Sequence, residues 1–270
     1  SRRHSRSHEI QADSLALELL LRTRYDASEA LKCLGILDNI DEEDTTKLDL
    51  TKVFASKDFP FNNAWLKLQE NPFGAAEAKS EWEEDSLKTH PDCVQRIAVL
   101  VPRLEGYNPS TKIVGDAEFE FLQKTCLFEL ARGHYHFDDL GHSLAESILR
   151  HQEYSQNSYF IGMIGMCLNR IYHAQKNHEL GKFTEMPDEQ LPKQYNLMLN
   201  FIQNLKLSDV AKISYYFLKG HGGATGGEYQ LYAWWGSCKI MGDAEGQTAA
   251  KAKYLESFPN GRFIESLKTE

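Results

Sequence analysis

The stretch Tyr159–Tyr172, YFIGMIGMCLNRIY, is the longest apolar-rich segment of this 270-residue chain. Its apolar residues recur at helical spacing on more than one side, which predicts a helix buried among other helices. Gly162, Gly165, Asn169 and Arg170 interrupt the segment, which is also too short to cross a bilayer. We therefore expect a helical fold and no membrane span in this segment.

Helical patterns also fill the chain from residue 116 to the end. Amphipathic helices separated by short joins are typical of stacked helical hairpins. The closing pattern resembles the second helix of a tetratricopeptide repeat (TPR), although no strict repeat period fits; it is carried by Ala249, Ala250, Tyr254 and Pro259. We predict an all-α chain whose residues 107–270, called the helical tail below, form a TPR-like α-solenoid.

The region before the tail contains three recognisable segments. Residues 38–63 are rich in acidic side chains and predict a mobile loop with a short ordered piece around Leu48–Phe54. A turn at residues 89–92 precedes a predicted helix from about Asp92 to Leu104. Glycine, asparagine and proline within residues 106–109 indicate a boundary between two domains. The predicted domains are therefore residues 1–106 and residues 107–270.

The first helical pattern begins with Ser5-Arg6-Ser7-His8-Glu9-Ile10-Gln11-Ala12-Asp13. Glu9 and Asp13 are four residues apart, so they share one face of a helix. Two carboxylates on one face repel each other unless a positive charge or solvent screens them. Arg2, Arg6 or solvent explains this pair without any functional site.

Two of these segments resemble motifs of peptidase family forty-eight, the HtpX-like and CAAX-prenyl-protease-like zinc endopeptidases. The run Ser5-Arg6-x-x-Glu9-x-x-Ala12-Asp13 resembles the second signature of that family. The run Thr89-His90-Pro91-Asp92-x-x-x-Arg96-Ile97 resembles the His-Pro stretch that follows the signature. The resemblance covers about residues 1–104 and implies the C-terminal half of a zincin-type metallopeptidase domain.

The resemblance also implies roles for individual residues. Glu9 would be the third protein ligand of one zinc ion, beside two histidines of an H-E-x-x-H helix. Asp13 would accept the outer N–H of a ligating histidine and so fix its ring. His90 would lie near the metal and help to hold the substrate. Arg96 would orient its turn through hydrogen bonds.

The H-E-x-x-H motif does not occur in these 270 residues. His4 and His8 have the required spacing, but Ser5 stands where the general-base glutamate must be. Adjacent residues such as His8 and Glu9 also point about 100° apart on a helix, which argues against a site on His4, His8 and Glu9. We therefore expect the remaining zinc ligands and the base upstream of Ser1, and we expect this chain alone to be inactive.

Other features of the chain carry weaker signals. The net charge of −9 argues against binding to nucleic acid. The glycine-rich residues 220–227 lack the Gly-Lys-Ser/Thr of a phosphate loop and predict a flexible join. A polar cluster lies around one helix join. Helix capping and contact with solvent are its simplest explanation, and a metal site is the alternative; the cluster consists of His134, His136, Asp138, Asp139 and His142.

We predict that the intact protein is a zinc-dependent endopeptidase acting on protein or peptide substrates. The helical tail would present a groove to substrates or protein partners, with four candidate aromatic residues: Tyr215, Tyr216, Trp234 and Trp235. An exported or periplasmic location is preferred, because such tails resemble those of envelope quality-control proteases. The alternative is a non-catalytic helical-repeat interaction module or a pseudopeptidase.

Overall fold

The computed structural model describes residues 2–38, 47–68, 92–109, 117–188 and 191–268. Within these ranges the regular elements are helices and no β-strand occurs, which confirms the predicted all-α class. The α-helices are α1 (Arg2–Leu21), α2 (Glu29–Asp38), α3 (Leu50–Phe54), α4 (Cys93–Leu100), α5 (Ala117–His136), α6 (Leu140–Glu153), α7 (Ser158–Lys176), α8 (Lys193–Asn204), α9 (Leu207–Gly220), α10 (Glu228–Met241), α11 (Ala244–Ser257) and α12 (Ile264–Lys268). Short 3-10 helices cover Asn63–Leu66, Val101–Leu104, Leu180–Lys182 and Gly223–Thr225.

The chain divides into two compact units. The first unit comprises residues 1–43 and 74–123, and the second comprises residues 44–73 and 124–270. Residues 44–73 therefore belong with the later helices, although they precede the predicted boundary after residue 106. The predicted domain limits stay a prediction.

The first unit is built around the contacts of α4 with α1 and α2. Its buried core consists of Leu17, Ala27, Leu34, Cys93 and Leu100. The start of α2 is held by Asp26, whose Oδ1 accepts hydrogen bonds from the Ser28 backbone nitrogen at 2.9 Å and from the Ser28 hydroxyl at 2.7 Å. The predicted helix after residue 92 is present as α4 followed by the 3-10 helix Val101–Leu104.

The second unit is organised around α7, which contacts α6, α9 and α10. The interrupting glycines of the apolar stretch allow this close packing. A Cβ atom added to Gly162 would lie 2.5 Å from the backbone nitrogen of Gln230 at the start of α10. A Cβ atom on Gly165 would lie 2.8 Å from the side chain of Leu218 on α9. The predicted buried helix is therefore confirmed, and its glycines are packing positions.

The segment of residues 47–68 packs on this second unit. Phe54 stacks on Phe201 with ring centroids 5.4 Å apart, and Phe61 meets Trp65 edge-on at 5.1 Å. The amide of Asn204 donates to the backbone oxygen of Trp65 at 3.1 Å. The expected ordered piece around Leu48–Phe54 is confirmed as α3. Residues 55–62 are irregular, as expected of a loop, but Phe59 and Phe61 pack on the buried ring of Trp65, which argues against the expected mobility. Residues 39–46 of the predicted loop lie outside the described residues.

Two of the predicted groove aromatics belong to the core. Trp234 and Trp235 are only 7% and 5% exposed, so they do not offer a surface to a partner. Tyr215 and Tyr216 are half-buried. Among the described helices, none has the length and apolar character that a bilayer crossing requires.

Candidate functional site

A bidentate ion pair joins α1 to α4. Arg96 Nε lies 2.7 Å from Asp13 Oδ2, and Arg96 Nη2 lies 2.7 Å from Asp13 Oδ1. The exposed fractions of the two side chains are 13% for Arg96 and 15% for Asp13. The pKa of Arg96 is raised, chiefly by the hydrogen bond that it donates to Asp13. A paired guanidinium fork of this kind fixes both the distance and the orientation of the carboxylate.

Glu9 lies one helical turn before Asp13 on the same face of α1. Its Oε2 is 3.5 Å from Arg96 Nη2, and its side chain is 32% exposed. Arg96 therefore offsets the repulsion between the two carboxylates, but it holds Asp13 much more closely than Glu9. The sequence suggested Arg2, Arg6 or solvent as the screening charge, and the structure adds a cation from another helix.

A groove of about 490 Å³ adjoins the ion pair. Asp13 and Arg96 are among its polar lining residues, and helices α1, α2 and α4 contribute its apolar walls. The apolar lining includes Leu17, Leu20, Leu34, Leu37 and Leu100. Asp26 and Glu29 also line this groove, so a few charged groups lie on mainly apolar walls, as is common in small binding sites.

The structure brings together three of the residues that the sequence singled out, which are Glu9, Asp13 and Arg96. His8 is exposed beside Glu9. His90 lies outside the described residues, so its place near the site stays a prediction. The roles of Glu9 as a zinc ligand and Asp13 as its supporting carboxylate also stay predictions.

The direct pairing of Arg96 with Asp13 was not predicted, since the sequence assigned Arg96 to orienting its own turn. One signal could have identified the pair. Arg96 is the sole charged residue of α4, whose sequence CVQRIAVL is otherwise mainly apolar. A cation on a helix that packs into a core requires an anionic partner, and the paired carboxylates of α1 were available for that role.

A second group of possible metal ligands lies in the second unit. Three side chains each offer one possible ligand atom, and these atoms lie within 4.8 Å of one another; the side chains are those of His134, Asp139 and His142. These are three of the five polar residues that the sequence placed around a helix join. Asp139 also caps α6 as expected, because its Oδ1 accepts a hydrogen bond from the backbone nitrogen of His142 at 3.1 Å.

Comparison with known proteins bears on the first part of the chain. The sequence model described as Peptidase family M48 matches residues 1–103. This match confirms the family resemblance over those residues and identifies them as peptidase-related. A search of curated proteins and a search of solved structures found no match to the chain. The helical tail lies beyond the matched residues, so its TPR-like character stays a prediction.

Proposed function

We propose that the intact protein is a zinc-dependent endopeptidase. Residues 1–103 would form the C-terminal part of its catalytic domain, and the helical tail would bind protein substrates or partners. The observation that carries this proposal is the match of residues 1–103 to peptidase family M48. Glu9, Asp13 and Arg96 support it because they lie together, and Asp13 and Arg96 also line a groove with mainly apolar walls.

The residues present fit the zinc site that the family implies. The Glu9 carboxylate is partly exposed, and its Oε2 lies 3.5 Å from Arg96 Nη2. Carboxylate oxygen is an accepted zinc ligand, and catalytic zinc sites use three protein ligands. When bound, zinc would act as a Lewis acid towards the scissile carbonyl and would activate a water molecule.

Asp13 would position one of the ligating histidines. Each oxygen of its carboxylate accepts a hydrogen bond from Arg96, and each retains a further lone pair. The carboxylate can therefore accept an imidazole N–H while Arg96 holds its orientation. Arg96 would act as a positioning residue through Asp13. His90 would approach from a different segment and help to hold the substrate.

Two exposed leucines on α1 support the proposal that another part of the catalytic domain packs on this helix. Leu15 and Leu19 are 58% and 55% exposed and lie one turn apart. Apolar side chains that share an exposed helix face usually meet another part of the protein or a partner. We propose that the part of the catalytic domain that carries the H-E-x-x-H helix covers this face.

The second unit offers a cavity for the proposed binding role, between the helical tail and residues 52–57. This cavity has a volume of about 520 Å³, and its lining includes Lys57, Gln152, Ser155, Tyr216 and His221. Amide, hydroxyl and cationic groups on such walls suit the carbonyl and carboxylate groups of a peptide. Tyr216 therefore remains a candidate contact residue, whereas the buried indoles of Trp234 and Trp235 do not.

The test is a proteolysis assay on the protein with its upstream residues included. Glu9→Ala should lower kcat/KM on casein by at least about a hundredfold and reduce the bound zinc, because a metal ligand is lost. Glu18→Ala is the matched control, since Glu18 lies on the same helix in an exposed pair with Arg103. Unchanged activity and zinc content in Glu9→Ala would contradict the ligand assignment. An upstream motif that lacks the general-base glutamate would instead favour a pseudopeptidase or an interaction module.

A further inference from the structure

The turn between α5 and α6 is held in one conformation by its own hydrogen bonds. The backbone nitrogen of Asp139 donates to the backbone oxygen of His134 at 2.9 Å. Asp138 has a φ of 65°, in the left-handed region that few non-glycine residues occupy, and its carboxylate pairs with Arg170. The turn therefore presents His134, at the end of α5, next to Asp139, at the start of α6.

One oxygen of Asp139 faces two imidazole rings. Its Oδ2 lies 3.0 Å from His134 Nδ1 and 2.9 Å from His142 Nδ1. Its other oxygen, Oδ1, is used to cap α6. One oxygen of the carboxylate therefore caps the helix, and the other faces the two histidine rings. The neighbouring His136 is exposed and lies outside this group.

The contact between His142 and Asp139 is close, but it does not have the geometry of a hydrogen bond. His142 Nδ1 is buried and has no hydrogen-bond partner among the described residues, despite its 2.9 Å distance from Asp139 Oδ2. Leaving a buried ring nitrogen unpaired costs free energy. A cation bound between the carboxylate oxygen and the two ring nitrogens would remove that cost, since its ligands approach along their lone pairs.

The ring of His142 is also held in place by packing. It stacks on the buried ring of Tyr195, with centroids 3.8 Å apart, and faces His134 at 5.2 Å. A ligand whose ring is fixed by its neighbours loses little conformational entropy when a metal binds. The rigid turn and the stacked ring therefore preorganise the three side chains.

We propose that His134, Asp139 and His142 form a binding site for a divalent transition-metal ion such as Zn²⁺. Two imidazole nitrogens and one carboxylate oxygen are a ligand set that suits zinc and its neighbours in the transition series rather than Mg²⁺ or Ca²⁺. Ligand atoms around tetrahedral zinc lie about 3.3 Å apart, and these three atoms already lie within 4.8 Å of one another. Water would complete the coordination. The bound ion would clamp the join of α5 and α6.

The test measures metal binding by the metal-free 270-residue chain. Equilibrium dialysis with Zn²⁺ should show one tightly bound ion, and Mg²⁺ should not compete for it. His142→Ala and Asp139→Asn should each weaken binding at least about tenfold. Asparagine is a good helix cap, so Asp139→Asn removes the charge while keeping the start of α6. The absorption spectrum of bound Co²⁺ should show nitrogen and oxygen ligation that His142→Ala changes.

Two controls make the outcome decisive. His136→Ala removes an exposed histidine from the same helix as His134 and should bind Zn²⁺ like the unchanged chain. Glu9→Ala should also bind normally, because this site does not use the residues of the proposed peptidase centre. The folding of each variant is checked by circular dichroism. Absence of saturable Zn²⁺ binding would overturn the proposal. So would a Zn²⁺ affinity in folded Asp139→Asn and His142→Ala equal to that of the unchanged chain.

Discussion

The Asp13 carboxylate is bound on both oxygens by a guanidinium that comes from another helix. Replacing Asp13 by alanine would leave the largely buried Arg96 without its principal anion. We expect a loss of about 2 kcal/mol in the free energy of unfolding, since charged hydrogen bonds in partly buried positions have values of this order. Urea denaturation followed by circular dichroism measures the change.

The exposed pair of Glu18 with Arg103 is the control for this prediction. Glu18→Ala should change the free energy of unfolding by less than about 0.5 kcal/mol, because exposed ion pairs contribute little. Arg96→Lys should resemble Asp13→Ala, since lysine keeps the charge but cannot form the two-pronged bond. Equal stability of all three variants and the unchanged chain would show that the bidentate pair does not stabilise the first unit.

The burial of His151 leads us to predict that the stability of the protein depends on pH. It is 5% exposed, and its ring packs edge-on against Phe217 at 5.5 Å and against His221 at 4.9 Å. Burial, together with the nearby His221, lowers the pKa of His151 from 6.5 to about 4. Between these values the unfolded chain binds the proton more readily than the folded chain. Stability is therefore lost as the pH falls from about 6.5 towards 4.

The loss due to His151 should be about 2 kcal/mol between pH 7.5 and pH 5. It is measured as the difference in pH dependence between the unchanged chain and His151→Gln, with urea titrations at both pH values. Glutamine does not titrate, so this variant should show a shallower loss. His136→Gln, which changes an exposed histidine, should keep the full loss. If His151→Gln showed the same pH dependence of stability as the unchanged chain, the loss could not be attributed to His151.

At the scale of elements, the contact of α7 with α10 depends on the absence of a side chain at residue 162. An alanine Cβ there would lie 2.5 Å from backbone atoms of both Tyr229 and Gln230. Because backbone atoms cannot move aside cheaply, Gly162→Ala should destabilise the second unit by about 1–3 kcal/mol. Thermal and urea unfolding of the two proteins measure this change.

Gly133 on α5 is the matched glycine for this comparison. No atom lies within 4 Å of a Cβ built at that position. Gly133→Ala should therefore be neutral or should stabilise by up to about 1 kcal/mol, since alanine favours the helix more than glycine does. A Gly162→Ala variant as stable as Gly133→Ala would mean that α7 and α10 do not approach as closely as described.

At the scale of the molecule, the second unit draws its core from two separate parts of the sequence. Leu50, Phe54 and Trp65 are buried with residues of α6 to α11 in one apolar cluster. A fragment of residues 44–270 should therefore be more stable than a fragment of residues 124–270, by at least about 3 kcal/mol, because the shorter one loses large buried side chains. Urea titrations of the two fragments test this, and equal midpoints would show that residues 44–73 are dispensable.

Local sequence was sufficient to predict the all-α class, the central buried helix and the resemblance of the first part to a peptidase family. Each of these rests on patterns within short stretches of the chain. The apolar pattern of residues 159–172 repeats within one helix, and Glu9 and Asp13 are one turn apart on another. Helical periodicity acts over a few residues, so it can be read without knowing what the helix packs against.

Only the tertiary structure decided which of these helices meet and what their side chains contact. Arg96 pairs with a carboxylate 83 positions earlier in the chain, and Phe54 stacks on Phe201. The three side chains around Asp139 Oδ2 converge because a turn with an unusual backbone conformation sets their directions. Such contacts depend on how loops and helix packing bring distant residues together, and local periodicity carries no information about that.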